Sequence, residues 1–360
     1  MRLAVDVMGG DHGPEELLQG VKLGLAAEPG IQRCFVVGRE GDLVPLRSKL
    51  GLHDPRLEFR FASEVITMED DPALGVRRKK DSSVLRAVEL VRDGLADVVI
   101  SSGNTGGLLA GATFRLGRLE GVKRPALACI MPNRRGAWVL LDGGANPACT
   151  PEMLVQFAVM GSTYAGAMLE LENPRVGILA NGSEESKGTE LTRDALALLR
   201  RTALNCRGYC EGYELFLDGI DVCVCDGFVG NIVLKTSESL GKTIGFMLKE
   251  ELSANPLRLL GALLAKTGLD RIKQRMNPEA YGGAPLLGLN GYVIKVHGGA
   301  KRTAVRWAMQ QAHRVAQLRL NDTLVKAIAA ANRATSAGVT TATATSDGKP
   351  SANDNDRALV

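Results

Sequence analysis

Apolar residues along this chain fall into short continuous runs, each cut off by a small-residue polar loop and followed by a stretch with helical spacing. Runs at 3–7, 34–37, 57–62, 96–100, 176–180, 222–225 and 292–296 suit strands buried on both faces. Two more, at 126–131 and 137–141, are joined by Pro132-Asn133-Arg134-Arg135-Gly136, which predicts a hairpin. Helices are predicted over about 15–27, up to 50, 84–93, from 108, 151–171, up to 200 and 302–331, with Ser82 or Ser83 capping the one at 84. Strand and helix alternating in this way predict an α/β protein, three layers around a mostly parallel sheet. One catalytic unit over 1–331, in two lobes about a single cleft, is expected. Beyond it, residues 332–360 are rich in Thr, Ala, Ser and Asp without apolar period and read as a disordered tail.

The most informative loop is Ser101-Ser102-Gly103-Asn104-Thr105-Gly106-Gly107. A strand that runs through such a loop into a helix aims backbone N–H groups and the positive helix end at one point, which attracts phosphate. The glycines allow a ligand close to the backbone. A tight strand-to-helix turn with a polar cap is the plainer reading of one such loop. Six strand ends repeat the pattern, however: Asp11 and His12, Asn104 and Thr105, Asp142 and Asn146, Ser183 and Lys187, Asp226 and Asn231, and His297. In a parallel sheet these ends converge on one cleft.

Absent motifs narrow the chemistry. G-x-G-x-x-G, G-x-x-x-x-G-K-[ST] and G-x-S-x-G do not occur, and His12, His53, His297 and His313 lack metal-ligand spacing. Backbone amides, Asn side chains and Lys187 suit a reaction between phosphate and a carbonyl compound, with no metal, cofactor or covalent enzyme intermediate required.

Composition then removes partners. Aromatics make up 4% of the 360 residues and the net charge is +4, a poor match to nucleic acid. Seven cysteines without a CxxC pair fit a reducing cytoplasm, and no apolar run approaches a membrane span. Arg77-Arg78-Lys79-Lys80 reads either as a solvated loop or as a grip for phosphate or an acidic partner. Residues 256–276 combine Leu257, Leu260, Leu264, Leu269, Ile272 and Met276 at helical spacing with five cations and one anion, Asp270. That stretch fits a helix lying in a membrane interface, or equally a core or dimer helix.

Taken together, Asp6-Val-Met-Gly-Gly-Asp-His, Ser102-Gly-Asn-Thr-Gly, Leu141-Asp-Gly-Gly-Ala-Asn, Asn181-Gly-Ser-Glu-Glu-Ser-Lys-Gly-Thr, Asp226-Gly-Phe-Val-Gly-Asn and Tyr281-Gly-Gly-Ala-Pro-Leu-Leu-Gly resemble the bacterial phosphate acyltransferases of phospholipid synthesis. The resemblance runs in order over about residues 1–320. It implies a fold shared with phosphotransacetylases and isopropylmalate dehydrogenases, a homodimer, and transfer of an acyl group from acyl-carrier protein to inorganic phosphate. The acyl phosphate product would then feed a membrane glycerol-3-phosphate acyltransferase. On the strand-end loops, Lys187, Asn231, His12 and Asp11 are the expected catalytic residues. Ser102, Gly103, Asn104, Thr105, Gly106, Asn146, Ser183 and His297 are expected to bind substrate or phosphate. His297 is followed by Gly-Gly-Ala-Lys where the family more often has a hydroxyl residue. A cytoplasmic enzyme touching the inner face of the membrane peripherally is the expected setting. The rival expectations are a short-chain acyl-CoA:phosphate acyltransferase, an NAD-dependent decarboxylating dehydrogenase and a non-catalytic binding module.

Overall fold

Residues 1–276 and 281–336 are described by a computed structural model. In chain order the first half runs β1 (Arg2–Asp6), α1 (Gly13–Ala27), β2 (Arg33–Gly38), α2 (Glu40–Lys49), β3 (Leu57–Phe61), α3 (Pro72–Arg78), α4 (Ser83–Arg92), β4 (Val98–Ser101) and α5 (Thr105–Leu116). Next come β5 (Ala126–Leu127), β6 (Cys129–Pro132), β7 (Ala137–Leu141), α6 (Pro151–Leu169), β8 (Val176–Leu179), α7 (Glu190–Leu199), β9 (Cys206–Cys210) and β10 (Val222–Val224). The last third holds α8 (Gly227–Ser253), α9 (Pro256–Leu264), α10 (Lys266–Arg275), β11 (Ala284–Leu287), β12 (Tyr292–Lys295), α11 (Arg302–Gln317) and α12 (Leu320–Ser336).

The strands form two sheets rather than the single sheet expected. One has the order β3-β2-β1-β4-β12-β11-β5, the other β6-β7-β10-β8-β9. Both are mostly parallel; β11 runs antiparallel to β12 and β5, and β6 antiparallel to β7. The division falls inside the apolar run at 126–131. Leu127 pairs with Leu286 of the first sheet, the Ala128 N–H donates to Pro285 O at 3.0 Å, and Cys129 pairs with Leu140 of the second. An apolar run shows that a strand is buried, not which sheet buries it.

Helices cover both sheets. Gly20 and Gly24 let α1 lie directly on α11: a Cβ there would fall 2.6 Å from Val305 Cβ and 2.2 Å from Met309 Sδ. The single helix expected over 302–331 is two, because Arg319 takes φ +47° and turns the chain. The apolar stripe of α11 faces α1 and that of α12 (Leu324, Ile328) faces α6, so one continuous period serves two partners. Residues 332–336 complete α12 instead of opening a tail, and the rest of the expected tail lies outside the described residues.

Smaller departures follow local chemistry. A helix, α3, stands where a loop was expected; Asp71 caps it by accepting the Leu74 N–H at 2.8 Å. Arg77 and Arg78 form its last turn, and Lys79 pairs with Asp70 at 2.5 Å. Ser82 occupies the N-cap position of α4, yet its hydroxyl makes no capping bond. β9, at a sheet edge, mixes Arg, Gly and Tyr between its cysteines and carries no apolar run. No residue of α9 or α10 is buried, and only Gly227 and Gly230 are buried in α8. The core-helix reading of 256–276 is thereby excluded within this chain.

Candidate functional site

From β1 the chain steps outward through β2 to β3, then returns to place β4 on the other side of β1. Loops leaving β1 and β4 therefore diverge at a topological switch point, the crevice where open α/β sheets bind ligands. The two loops touch: a Cβ on Gly9 (φ +78°) would lie 3.0 Å from Gly103 Cα, and one on Gly10 would lie 2.9 Å from Ser102 Oγ. Beneath them the buried Asp6 carboxyl accepts the Ser101 hydroxyl at 2.7 Å and the Met8 N–H at 3.1 Å, while Ser101 Oγ accepts the Gly103 N–H at 3.1 Å. Lys295, at the end of β12, donates to Ser102 O at 3.0 Å and to Val296 O at 2.5 Å. Burial pushes Asp6 up and holds the Lys295 ammonium down to about 7, against the opposing pull of Asp6.

At the head of α5, Asn104 Oδ1 accepts the Gly107 N–H at 3.0 Å, and its Nδ2 donates to Thr67 O at 3.0 Å and Asp70 O at 3.2 Å. That amide braces the turn, which corrects its expected use as a donor toward substrate. The N–H groups of Thr105 and Gly106, at the positive helix end, and the buried Ser102 hydroxyl have no partner among the described residues.

Asp11 and His297 meet on the same rim. The Asp11 N–H donates to Gly298 O at 2.9 Å, and a Cβ on Gly298 would lie 3.1 Å from Asp11 Oδ1. His297 Nδ1 accepts the Gly299 N–H at 3.0 Å, which leaves the ring proton on Nε2. Nε2 lies 3.0 Å from Lys235 Nζ, and Lys235 lies 3.2 Å from Glu238 Oε2, both on α8. Partial burial, then the Lys235 ammonium, lower the His297 pKa, so the ring is neutral at neutral pH. A neutral Nε2–H and an ammonium both donate, so an anionic oxygen held between them would satisfy both.

A second group forms where β7 and β10 end. Asp142 is fully buried and accepts five N–H groups: Leu127 (2.9 Å), Gly144 (3.2 Å) and Ala145 (3.0 Å) on Oδ1, and the Asn146 backbone (2.6 Å) and side chain (2.8 Å) on Oδ2. Asn146 Nδ2 also donates to Pro125 O at 2.8 Å. Like Asn104, Asn146 holds its loop together and is not free for substrate. Close approach of α8 to this loop requires glycine: a Cβ on Gly230 would sit 1.9 Å from Asp142 O, and one on Gly227 2.7 Å from Asn146 N. Asn231, the fifth residue of α8, covers Gly144 and has no side-chain hydrogen bond among the described residues. Cys129 and Cys149 beside this group are pushed up to about 12 by burial, so neither offers a thiolate near neutral pH.

Lys187 and Ser183 stand on a third loop, after β8. Asn181 Oδ1 accepts the Gly188 N–H at 3.0 Å, and the Lys187 stem crosses Gly182. Glu185 pairs with Arg200 at 2.7 Å, and the Lys187 ammonium has no ion pair within 4 Å among the described residues. No hydrogen bond joins this loop to the other two groups among those residues, and His12 at the head of α1 makes no capping bond. The fold thus brings Asp11, Ser102, Gly103 and His297 together, places Asn231 over Gly144 in the loop that Asn146 closes, and carries Lys235 of the same helix to His297.

Sequence reading quoted Asp6 and Ser101 without giving them a site role and passed over Lys235, Glu238 and Lys295. A signal existed for three of them. Asp6 and Lys295 are charges inside or ending runs read as fully buried, and Lys235 follows Asn231 by one helical turn.

The family described as Fatty acid synthesis protein matches residues 1–323. A phosphate acyltransferase of Thermoanaerobacter pseudethanolicus is 46% identical over 312 residues, 87% of this chain and 92% of that one. A phosphate acyltransferase of Geotalea daltonii is 43% identical over 329 residues, 91% and 94% of the two chains. Among solved structures, a phosphotransacetylase from Streptococcus pyogenes superposes with a TM-score of 0.55 at 17% identity, over 91% of this chain and 94% of that one. At that identity the likeness speaks for the fold alone.

Proposed function

The chain belongs to the phosphate acyltransferase family, and from that premise we propose that its cleft transfers a fatty acyl group from acyl-carrier protein to inorganic phosphate. The observation that carries this reading is the cradle at the switch point: a buried hydroxyl and two N–H groups at the head of α5 with no partner among the described residues, after β4, and the donor pair of His297 and Lys235 after the neighbouring strand β12. Phosphate held there presents an oxygen to the thioester carbonyl. The new O–C bond forms as the C–S bond breaks, and the thiolate leaves to take up a proton, giving acyl phosphate and free carrier protein. A dianionic nucleophile needs no general base, and neutral donors bind it without quenching its attack. In this reading Lys187 and the free amide of Asn231 stabilise the developing oxyanion, while Asp11 and His12 handle the leaving thiolate's proton.

Phosphate-dependent release of carrier-protein thiol tests the proposal, with short-chain acyl-CoA as the comparison. Turnover of acyl-CoA alone would leave the phosphotransacetylase reading in its place. The helical arm favours the long-chain reading. Among the described residues no helix is long and apolar enough to cross a membrane, yet Phe246, Met247, Leu257, Leu260, Leu263 and Leu264 stand exposed on α8 and α9 beside the cations of α10. We read this arm as a peripheral contact with anionic lipid, delivering a labile, greasy product to a glycerol-3-phosphate acyltransferase at the bilayer. Leu260→Glu should abolish sedimentation with anionic vesicles while the homodimer persists; a monomeric variant would assign the stripe to the subunit interface instead.

A further inference from the structure

A groove of about 890 Å³ runs beside the site along one face of α5. Gly106, in the anion cradle, lies at its upper end; Thr113 and Phe114 follow on the helix face; Ala145, next to Asn146, belongs to the facing wall. Arg118 and Arg124 line the other end. The twelve residues of α5 make this a path of about 18 Å. Its two ends are both built for anions, and its middle is largely apolar. Arg118 donates to the Lys123 carbonyl, and neither Arg118 nor Arg124 has a carboxylate within 4 Å among the described residues. Exposed arginines without acidic partners beside an open apolar channel are a feature that folding of this chain does not explain.

We propose that this groove receives the pantetheine arm of an acidic carrier protein, with the thioester at the Gly106 end and the arm's phosphodiester at Arg118 and Arg124. The assignment rests on the acyl transfer proposed above and names where its donor docks. Charge decides the direction of the arm: a phosphodiester on an acidic protein matches two unpaired guanidinium groups, whereas the end of a fatty acyl chain does not. Openness decides the kind of occupant. Phe114 is 74% exposed, so a wholly apolar chain would remain wet here, while an arm carrying two amides keeps them solvated and lays its apolar edge on α5. Coenzyme A shares the arm and its phosphate; Arg118 and Arg124 stand exposed at the groove's end beside Lys123, which pairs with Glu152 at 3.3 Å, on a surface that a protein would cover.

The test compares three substrates on the full chain. Arg118→Gln combined with Arg124→Glu should raise KM for acyl-carrier protein about tenfold, as expected for two surface charge pairs of which one is reversed. KM for phosphate and turnover of acyl-pantetheine, which has neither carrier nor phosphodiester, should stay at wild-type values. A second variant, Thr113→Trp, fills the groove and should depress turnover of both thioesters, again without moving KM for phosphate. Equal effects of the charge variant on acyl-carrier protein and acyl-pantetheine, or no effect on either, would overturn the proposal. So would dissociation of the dimer by either variant in sedimentation, which would make the groove a subunit interface. Wild-type enzyme that releases no carrier thiol with phosphate would instead sink the acyl-transfer reading itself.

Discussion

Replacing Lys295 with methionine should destabilise the protein most at high pH and least near pH 7. Methionine keeps the stem and removes the amine, so Ser102 O and Val296 O lose a donor that reaches them at 3.0 and 2.5 Å. Two lost hydrogen bonds with the carbonyls left behind cost about 2–4 kcal/mol. The sign of the pH dependence follows from the amine's burial. In the unfolded chain it stays protonated up to about 10.5, whereas in the folded protein it releases its proton at about 7. Between these values the unfolded state binds more protons, so the lysine makes wild-type stability rise with pH, and below pH 7 its contribution is flat. At 1.36 kcal/mol per pH unit, the advantage of wild type over the variant should shrink by about 3 kcal/mol from pH 9.5 to pH 7. Asp6, Asp11 and Lys235 are the other charges that bear on this amine, and all three are retained in the variant. Urea unfolding followed by fluorescence of the buried Trp138 measures the difference at each pH. Parallel stability curves for the two proteins over pH 7–9.5 would refute the reasoning.

Three further outcomes separate chemistry from scaffolding. Lys187→Ala should lower turnover by about 10²–10³-fold, the scale for one lost oxyanion donor, with an unchanged melting temperature; near-normal turnover would remove Lys187 from the mechanism. Asn231→Ala should likewise lose activity while keeping its stability, because its amide has no partner among the described residues, whereas Asn146→Ala should lose about 1–3 kcal/mol of stability by leaving Pro125 O without its donor and Asp142 Oδ2 with the backbone N–H alone. Gly230→Ala should cost at least about 3 kcal/mol or abolish folding, because its Cβ would sit 1.9 Å from Asp142 O; a normal melting temperature there would show that α8 is not seated on that loop.

Local order was legible along the chain because its causes are local. A parallel strand covered on both faces is mostly apolar, so 3–7, 96–100 and 222–225 announced themselves, and the small residues that end them marked where loops approach a ligand or one another. Gly9, Gly10 and Gly103 could be read as a place of close approach without knowing what approached. Partnership between distant segments left no such trace. Nothing in a periodic pattern tells that β12 inserts beside β4 and brings Lys295 to a carbonyl 193 residues away, or that Lys235 meets His297 across 62. Residue type is equally mute about use: Asn104, Asn146 and Asn231 looked alike as neutral donors, yet the first two are bound into their own loops and only the third is open. The division of 126–131 between two sheets and of 302–331 between two helices has the same origin, since apolarity specifies burial while the partner that provides it is chosen by the packing of the whole chain.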